Sequence, residues 1–144
     1  MKSVVQILKS KADQSVHSID PMTSVRDAAS LMERKDIGAL LVVEAERVVG
    51  IVTERDIARK MAQSGRSFER TAAREIMHAP VQCVHQHHTN QECMALMTEK
   101  RFRHLPVLDE TGNVVGMISI GDMVKETISN QKFLIEQLER YIAG

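Results

Sequence analysis

Apolar and polar residues follow one another along this chain at helix and strand spacings, and the order of the spacings repeats. Ser3-Val4-Val5-Gln6-Ile7-Leu8-Lys9 has the pattern of a short amphipathic helix with Ser3 at its N-cap. Val16 and Ile19 mark a short extended stretch that stops at Asp20-Pro21, because proline biases the residue before it away from helical geometry. Ser24 offers a hydroxyl cap to a helix that gathers Val25, Ala28, Ala29, Leu31 and Met32 on one face, with Ile37-Gly38 as its end. Ala39-Leu40-Leu41-Val42-Val43 is a continuous apolar run, the mark of a buried strand. A polar turn, Glu44-Ala45-Glu46-Arg47, leads to a second strand, Val48-Val49-Gly50-Ile51-Val52. Thr53 or a neighbour then starts a helix that runs past Met61 toward Ser64 and closes at Gly65.

This unit of strand, helix, strand, turn, strand and helix occurs twice. Val49-Gly50-Ile51-Val52-Thr53-Glu54-Arg55-Asp56-Ile57 returns as Val115-Gly116-Met117-Ile118-Ser119-Ile120-Gly121-Asp122-Met123, at an offset of 66 (Gly50 to Gly116). Upstream the offset is 65, with Ala29-Ser30-Leu31-Met32 matching Met94-Ala95-Leu96-Met97. Val81–Val84, Thr89–Lys100 and Leu105–Leu108 match Val16–Ile19, Ser24–Lys35 and Leu40–Val43. The turn Asp109–Asn113 is one residue longer, which accounts for the change, and its Gly112-Asn113 suits the positive-φ positions of a hairpin. A helix over Thr71–Met77 joins the copies. After Asp122 the helical pattern continues to Ile142, with Val124, Ile128, Leu134, Leu138 and Tyr141 on an apolar face, which suits a packing helix. The expected layout is an entry helix and segment over 1–15, repeats over 16–64 and 81–128, a linker helix over 65–80 and a helical tail over 129–144.

A chain of 144 residues holds one core, and a copy of roughly 50–60 residues is marginal alone, so the copies are expected to pack on each other. Their common surface is a natural place for a ligand. Nineteen basic residues balance nineteen acidic ones, which argues against a nucleic-acid groove, and the only aromatics are Phe68, Phe102, Phe133 and Tyr141, too few for base-stacking platforms. The longest apolar run is strand-sized, so no membrane association is expected. The N-terminus lacks a signal-peptide pattern, and a cytoplasmic location is expected. Cys83 and Cys93 have no metal-ligand spacing and read as reduced, buried thiols.

The duplicated stretches Gly-Ile-Val-Thr-Glu-Arg-Asp and Gly-Met-Ile-Ser-Ile-Gly-Asp resemble the glycine–apolar–apolar–Thr/Ser–x–x–Asp motif of CBS domains, and Phe102-Arg103-His104-Leu105-Pro106-Val107 resembles that family's second characteristic stretch. The resemblance covers both repeats, about residues 12–128. It implies an α/β (α+β) fold of two pseudo-symmetric repeats packed sheet to sheet as one disc, a Bateman module, commonly a homodimer. It also implies clefts for adenosyl ligands: AMP, ADP, ATP, NAD or S-adenosylmethionine. The motif Asp would accept from the ribose hydroxyls, for which paired carboxylate lone pairs suit a cis-diol, and the Thr/Ser hydroxyl would help hold ribose or phosphate at a helix N-terminus. The motif Gly would let backbone approach closely. On this basis one cleft uses Thr53 and Asp56, with Met77, His78, Ala79, Phe102, Arg103 and His104 as its wall. The other uses Ser119 and Asp122, with Asp13, Gln14, Ile37, Gly38 and Ala39. Arg103-His104 stands where the first copy has Gly38-Ala39, and is expected to be the main phosphate-facing positive patch. Arg55 adds a cation to the first motif where the second has Gly121, so the two sites should not be equivalent.

Each of these residues also has a plainer reading. Asp56 and Asp122 suit the first turn of a helix on dipole grounds alone, and Thr53 and Ser119 suit N-caps. His85, His87 and His88 read as exposed loop histidines, since no carboxylate or Cys set of zinc spacing completes them. The nine methionines read as core filler; Lys9 and Lys11 read first as solvated surface, with an approach to a phosphate as the alternative. The chain carries no nucleophile elbow and no phosphate-cradling GxxxxGK[ST] loop, so no enzyme and no catalytic cofactor are expected. The expected function is a regulatory module that senses adenine nucleotides and acts on a separate effector protein; a structural module with empty clefts is the alternative.

Overall fold

The computed structural model describes residues 2–11 and 15–143, apart from the side chain of Ser64. In chain order the elements are α1 (Val4–Ser10), β1 (Ser18–Ile19), α2 (Val25–Lys35), β2 (Ala39–Glu44), β3 (Arg47–Thr53), α3 (Glu54–Ser64), α4 (Ala73–Ile76), β4 (Val84–His85), α5 (Asn90–Lys100), β5 (His104–Leu108), β6 (Val114–Ser119) and α6 (Ile120–Ala143). They form two compact units: Val16–Gln82, and Met1–Ser15 together with Cys83–Gly144. Each unit contains one three-stranded mixed sheet. β1 runs parallel to β2 and β2 antiparallel to β3; β4, β5 and β6 repeat this pairing. The α/β class and the repeated strand-helix-strand-strand-helix order are therefore as expected.

Each sheet is covered by its own helices. Val25, Ala28 and Met32 of α2, Leu40 and Val42 of β2, Val52 of β3, Met61 of α3 and Ala73 and Ile76 of α4 form one core. In the other unit Val4, Ile7 and Leu8 of α1 join Val84, Cys93, Met97, Leu105, Val107, Ile118 and Met123. Thus α1 precedes the first repeat in sequence but packs in the unit of the second. It is the counterpart of α4. Val4 donates to the His88 carbonyl (2.8 Å) as Ala73 donates to that of Thr23 (2.7 Å), and Asn90 donates to Lys2 (3.1 Å) as Val25 does to Thr71 (2.8 Å). Gln6 Oε1 accepts from the Ser3 N–H as Glu75 Oε2 accepts from that of Ala72. So Ser3 is an N-cap by position, but its partner is a side chain one turn on.

Local signals held at most ends and failed at a few. Ser24 Oγ accepts from Asp27 N–H at 3.0 Å and Thr89 Oγ1 from Glu92 N–H at 3.2 Å, so both caps are side-chain hydroxyls. Gly65 closes α3 at φ 61. The end of α2, however, is Asp36 at φ 53, not Gly38, and α5 ends on Arg101 at φ 60. The Ile37 N–H donates to the Met32 carbonyl at 3.0 Å, so backbone bonds that close the turn hold a non-glycine in the left-handed region. In the first hairpin Ala45 (φ 50) and Glu46 (φ 65) take that region; in the second only Gly112 does, at φ 88. The Asp109 carboxylate instead holds the second turn, accepting from Thr111 N–H at 2.9 Å, Thr111 Oγ1 at 2.7 Å and Asn113 N–H at 3.0 Å. These bonds hold its carboxyl below the usual range.

Candidate functional site

Each β-hairpin ends where a strand turns directly into a helix, and the motif residues build that corner. In the first unit Thr53 Oγ1 accepts from Asp56 N–H at 3.1 Å, while Asp56 Oδ2 accepts from the Thr53 N–H and hydroxyl, both at 3.0 Å. This reciprocal cap satisfies donors that a helix start would otherwise leave open. The second unit repeats it: Ser119 N–H donates to Asp122 Oδ2 at 2.8 Å and Asp122 N–H to Ser119 Oγ at 3.2 Å. Only about a sixth of each carboxylate side chain is exposed (18% and 16%), yet each engages its own box through Oδ2 alone. Each capping box thus engages one carboxylate oxygen and leaves Oδ1 outside it.

Neighbouring segments converge on each corner from within the same unit. Ala39 pairs with Thr53, and the Gly38 carbonyl accepts from Glu54 N–H at 3.1 Å. His104 pairs with Ser119, and the Arg103 carbonyl accepts from Ile120 N–H at 2.8 Å. Ile37–Ala39 therefore stands with Thr53 and Asp56, and Phe102–His104 with Ser119 and Asp122. His78 exchanges two backbone bonds with Ile51 (2.8 and 3.1 Å), which lays Met77–Ala79 along β3 two residues from Thr53. Arg55 is exposed on the first turn of α3. Asp13 and Gln14 lie outside the described residues. The segment structurally equivalent to Met77–Ala79 is Leu8–Ser10, since Leu8 fills the space at Gly116 as Met77 fills it at Gly50. A Cβ on Gly116 would sit 2.6 Å from Leu8 Cδ2, and one on Gly50 would meet the Met77 sulfur. The room left by both motif glycines is thus taken up by a side chain of the same unit, where close backbone approach had been expected.

The charges at the two corners differ. Lys11 was expected on a solvated surface, but only 26% of its side chain is exposed. Its Nζ lies 3.0 Å from Asp122 Oδ2, and it donates to the Met117 carbonyl at 2.8 Å. The first corner has a looser analogue, Lys60, 3.9 Å from Asp56 Oδ1 and donating to the Ile76 carbonyl at 2.7 Å. Lys11 closes α1, eight residues after its N-cap Ser3, in a segment that carries no motif, and the sequence held an approach to phosphate only as its lesser reading. His104 departs from the expected cationic patch. Burial pushes its imidazolium below the ordinary value, against the pull of Asp122 and aided by Lys11 and Arg103, and its Nδ1 is buried without a hydrogen-bond partner. The positive charge there comes from Arg103, which is exposed, and Lys11.

The remaining candidates are structural. His88 Nδ1 accepts from His85 N–H at 2.9 Å and the two rings stack, so the histidines shape the turn before α5. Among the described residues no group of His, Cys, Asp and Glu is arranged to hold a metal, and no helix is long and apolar enough to cross a membrane. Neither thiol is in a disulfide; Cys93 is buried and pushed up to about 11, chiefly by desolvation, while Cys83 is half-buried and raised for the same reason.

Duplicated mixed sheets, each ending its hairpin in a Thr/Ser–Asp corner, define a tandem α/β repeat protein. The chain belongs to the CBS-domain family, whose model matches residues 8–63 and 73–129. It is similar to the CBS domain-containing protein CBSX3, mitochondrial, of Arabidopsis thaliana, at 34% identity over 99% of this chain and 72% of that protein. It is 30% identical to the CBS domain-containing protein YhcV of Bacillus subtilis over 86% of this chain and 87% of the relative. A solved CBS-domain protein from Burkholderia ambifaria superposes with a TM-score of 0.86 at 50% identity, covering 90% of this chain and 96% of the other. Paired CBS domains are in general regulatory and typically take adenosyl ligands.

Proposed function

We propose that this protein is a regulatory module that binds an adenosyl ligand (AMP, ADP, ATP, NAD or S-adenosylmethionine) at its Thr53–Asp56 and Ser119–Asp122 corners. It signals to a separate effector protein by a change of shape or of homodimer assembly. The observation that carries this is the corner built twice, in which a carboxylate locked by its capping box keeps an oxygen for a cis-diol. Ile37–Ala39 and Met77–Ala79 supply backbone and apolar surface around the first corner, and Phe102 does so at the second. Arg103 and Lys11 make the second the more anion-seeking of the two. A ribose diol at Asp122 Oδ1 leaves Lys11 on Oδ2, where its ammonium stands ready for the ligand's phosphate. No catalytic role is assigned to any of these residues. A cytoplasmic setting suits two cysteines that form no disulfide.

Calorimetry with AMP, ATP, NAD and S-adenosylmethionine tests this. Asp56→Ala and Asp122→Ala should each weaken one site by about 1.5–3 kcal/mol, the worth of hydrogen bonds to a charged group. Retention of parental affinity in both variants would sink the ribose assignment. The internal satisfaction of Asp56 by Thr53, and of Asp122 by Lys11, favours a second reading, a structural module that binds no nucleotide. Under that reading no ligand releases measurable heat.

A further inference from the structure

Ile120–Ala143 is a 24-residue helix, and only its start is embedded: Met123 is buried, while every residue from Ile128 to Ala143 is exposed. That exposed stretch is about 24 Å long at about 1.5 Å per residue. Its exposed apolar residues are not scattered. Val124, Ile128, Ile135, Leu138 and Ile142, with Gln131 in step, recur at alternating spacings of four and three, and Ile128, Ile135, Leu138 and Ile142 are 53%, 54%, 61% and 83% exposed. This is the seam of a coiled coil, with isoleucine at one core position and mostly leucine or valine at the other. Leu134 and Tyr141 widen one flank, whereas Phe133 lies on the far side and is not part of it.

We propose that α6 pairs antiparallel with α6 of a second copy of this chain. The register is set by charge. With Ile128 layered on the partner's Leu138, and Val124 on the partner's Ile142, Lys125 meets the partner's Glu139 at both ends of the seam. Both residues are exposed and make no ion pair among the described residues. On the other flank Leu134 meets its own copy and Tyr141 covers the partner's Thr127. The only like-charged meeting is Lys132 with its own copy, and Glu136 lies one turn away on the same helix to offset it. A parallel pair in register gains neither Lys–Glu contact: Lys125 would face Ile120, and Glu139 would face Leu134. It would also bring two folded bodies to one end at an axis separation of about 8–10 Å, whereas antiparallel pairing puts them at opposite ends. The seam is self-complementary, as a two-fold interface requires.

This pairing specifies the homodimer of the preceding reading and is independent of its ligand. Light scattering and sedimentation on the full chain should give a dimer mass, and Ile135→Asp with Leu138→Asp should give a monomer of unchanged circular dichroism, because both side chains are exposed in one copy. Lys125→Glu and Glu139→Lys should each weaken the dimer roughly tenfold, and the double reversal should restore it to within about threefold. A dimer that survives the aspartate pair overturns the α6 interface and leaves the homodimer reading standing. A parent chain that is monomeric at high concentration overturns both. Failure of the double reversal to rescue overturns the antiparallel register.

Discussion

Lys11 changes what the Asp122 carboxylate can do. A lone carboxylate at a helix start repels phosphate, but one paired at 3.0 Å with an ammonium presents a diol acceptor and an anion donor side by side. Lys11→Ala and Arg103→Ala should therefore cost AMP about 1.5–3 kcal/mol at this site while sparing adenosine; equal loss for both ligands by calorimetry would remove the phosphate role. His104 contributes through its neutrality. Because burial holds its folded-state value below 6.5, the unfolded chain binds more protons than the folded one just under that pH. Its contribution is complete above about pH 6.5 and is lost as the pH falls below that value toward the lower folded one. Asp122, Lys11 and Arg103 are the charged groups that face it. Urea unfolding of the parent and of His104→Gln between pH 7.5 and 5.5 should show the variant losing less stability on acidification; parallel slopes would remove His104 from the account.

Among the elements, the entry helices explain the motif glycines. Leu8 of α1 and Met77, just after α4, each press into space that only glycine leaves open. Gly116→Ala should cost about 1–3 kcal/mol by overpacking, and Leu8→Ala about 2–5 kcal/mol by leaving a cavity. Combining them should cost less than the sum, because the added methyl enters the vacated space; strict additivity in denaturant titrations would deny the contact. The pattern of apolar positions was enough to place the helices and the long strands. It was less able to set ends. β1 and β4 shrink to two residues each, and Asp36 and Arg101, not glycines, close α2 and α5, because packing and backbone hydrogen bonds outweigh local preference there.

For the molecule as a whole, duplication creates two corners of one design and unequal charge. Their use by a ligand should appear as stability: at a concentration 100 times its dissociation constant, a nucleotide adds about 2.7 kcal/mol for each site filled. A rise in thermal midpoint of several degrees is expected for a chain of this size. Asp56→Ala with Asp122→Ala should abolish that rise, and a rise that persists in the double variant would place the ligand elsewhere. The zero net charge offers no general attraction for polyanions, so any anion recognition has to be local, at Arg103 and Lys11.

What the sequence determined by itself was everything carried by short spacings: the repeated order of helices and strands, the Ser24 and Thr89 caps, and the reciprocal Thr53–Asp56 and Ser119–Asp122 corners. These depend on neighbours three or four residues apart, and such contacts are written directly in the residue order. What only the tertiary structure decided was which distant segments share a unit. Lys11 lies 111 positions from Asp122 in the chain, yet the packing of α1 against β6 brings their charges to 3.0 Å. The pairing of β5 with β6 likewise grouped Arg103 and His104 with Ser119, and burial there lowers the pKa of His104. Long-range placement of this kind follows from shared burial of apolar faces, which has no signature at fixed sequence separation.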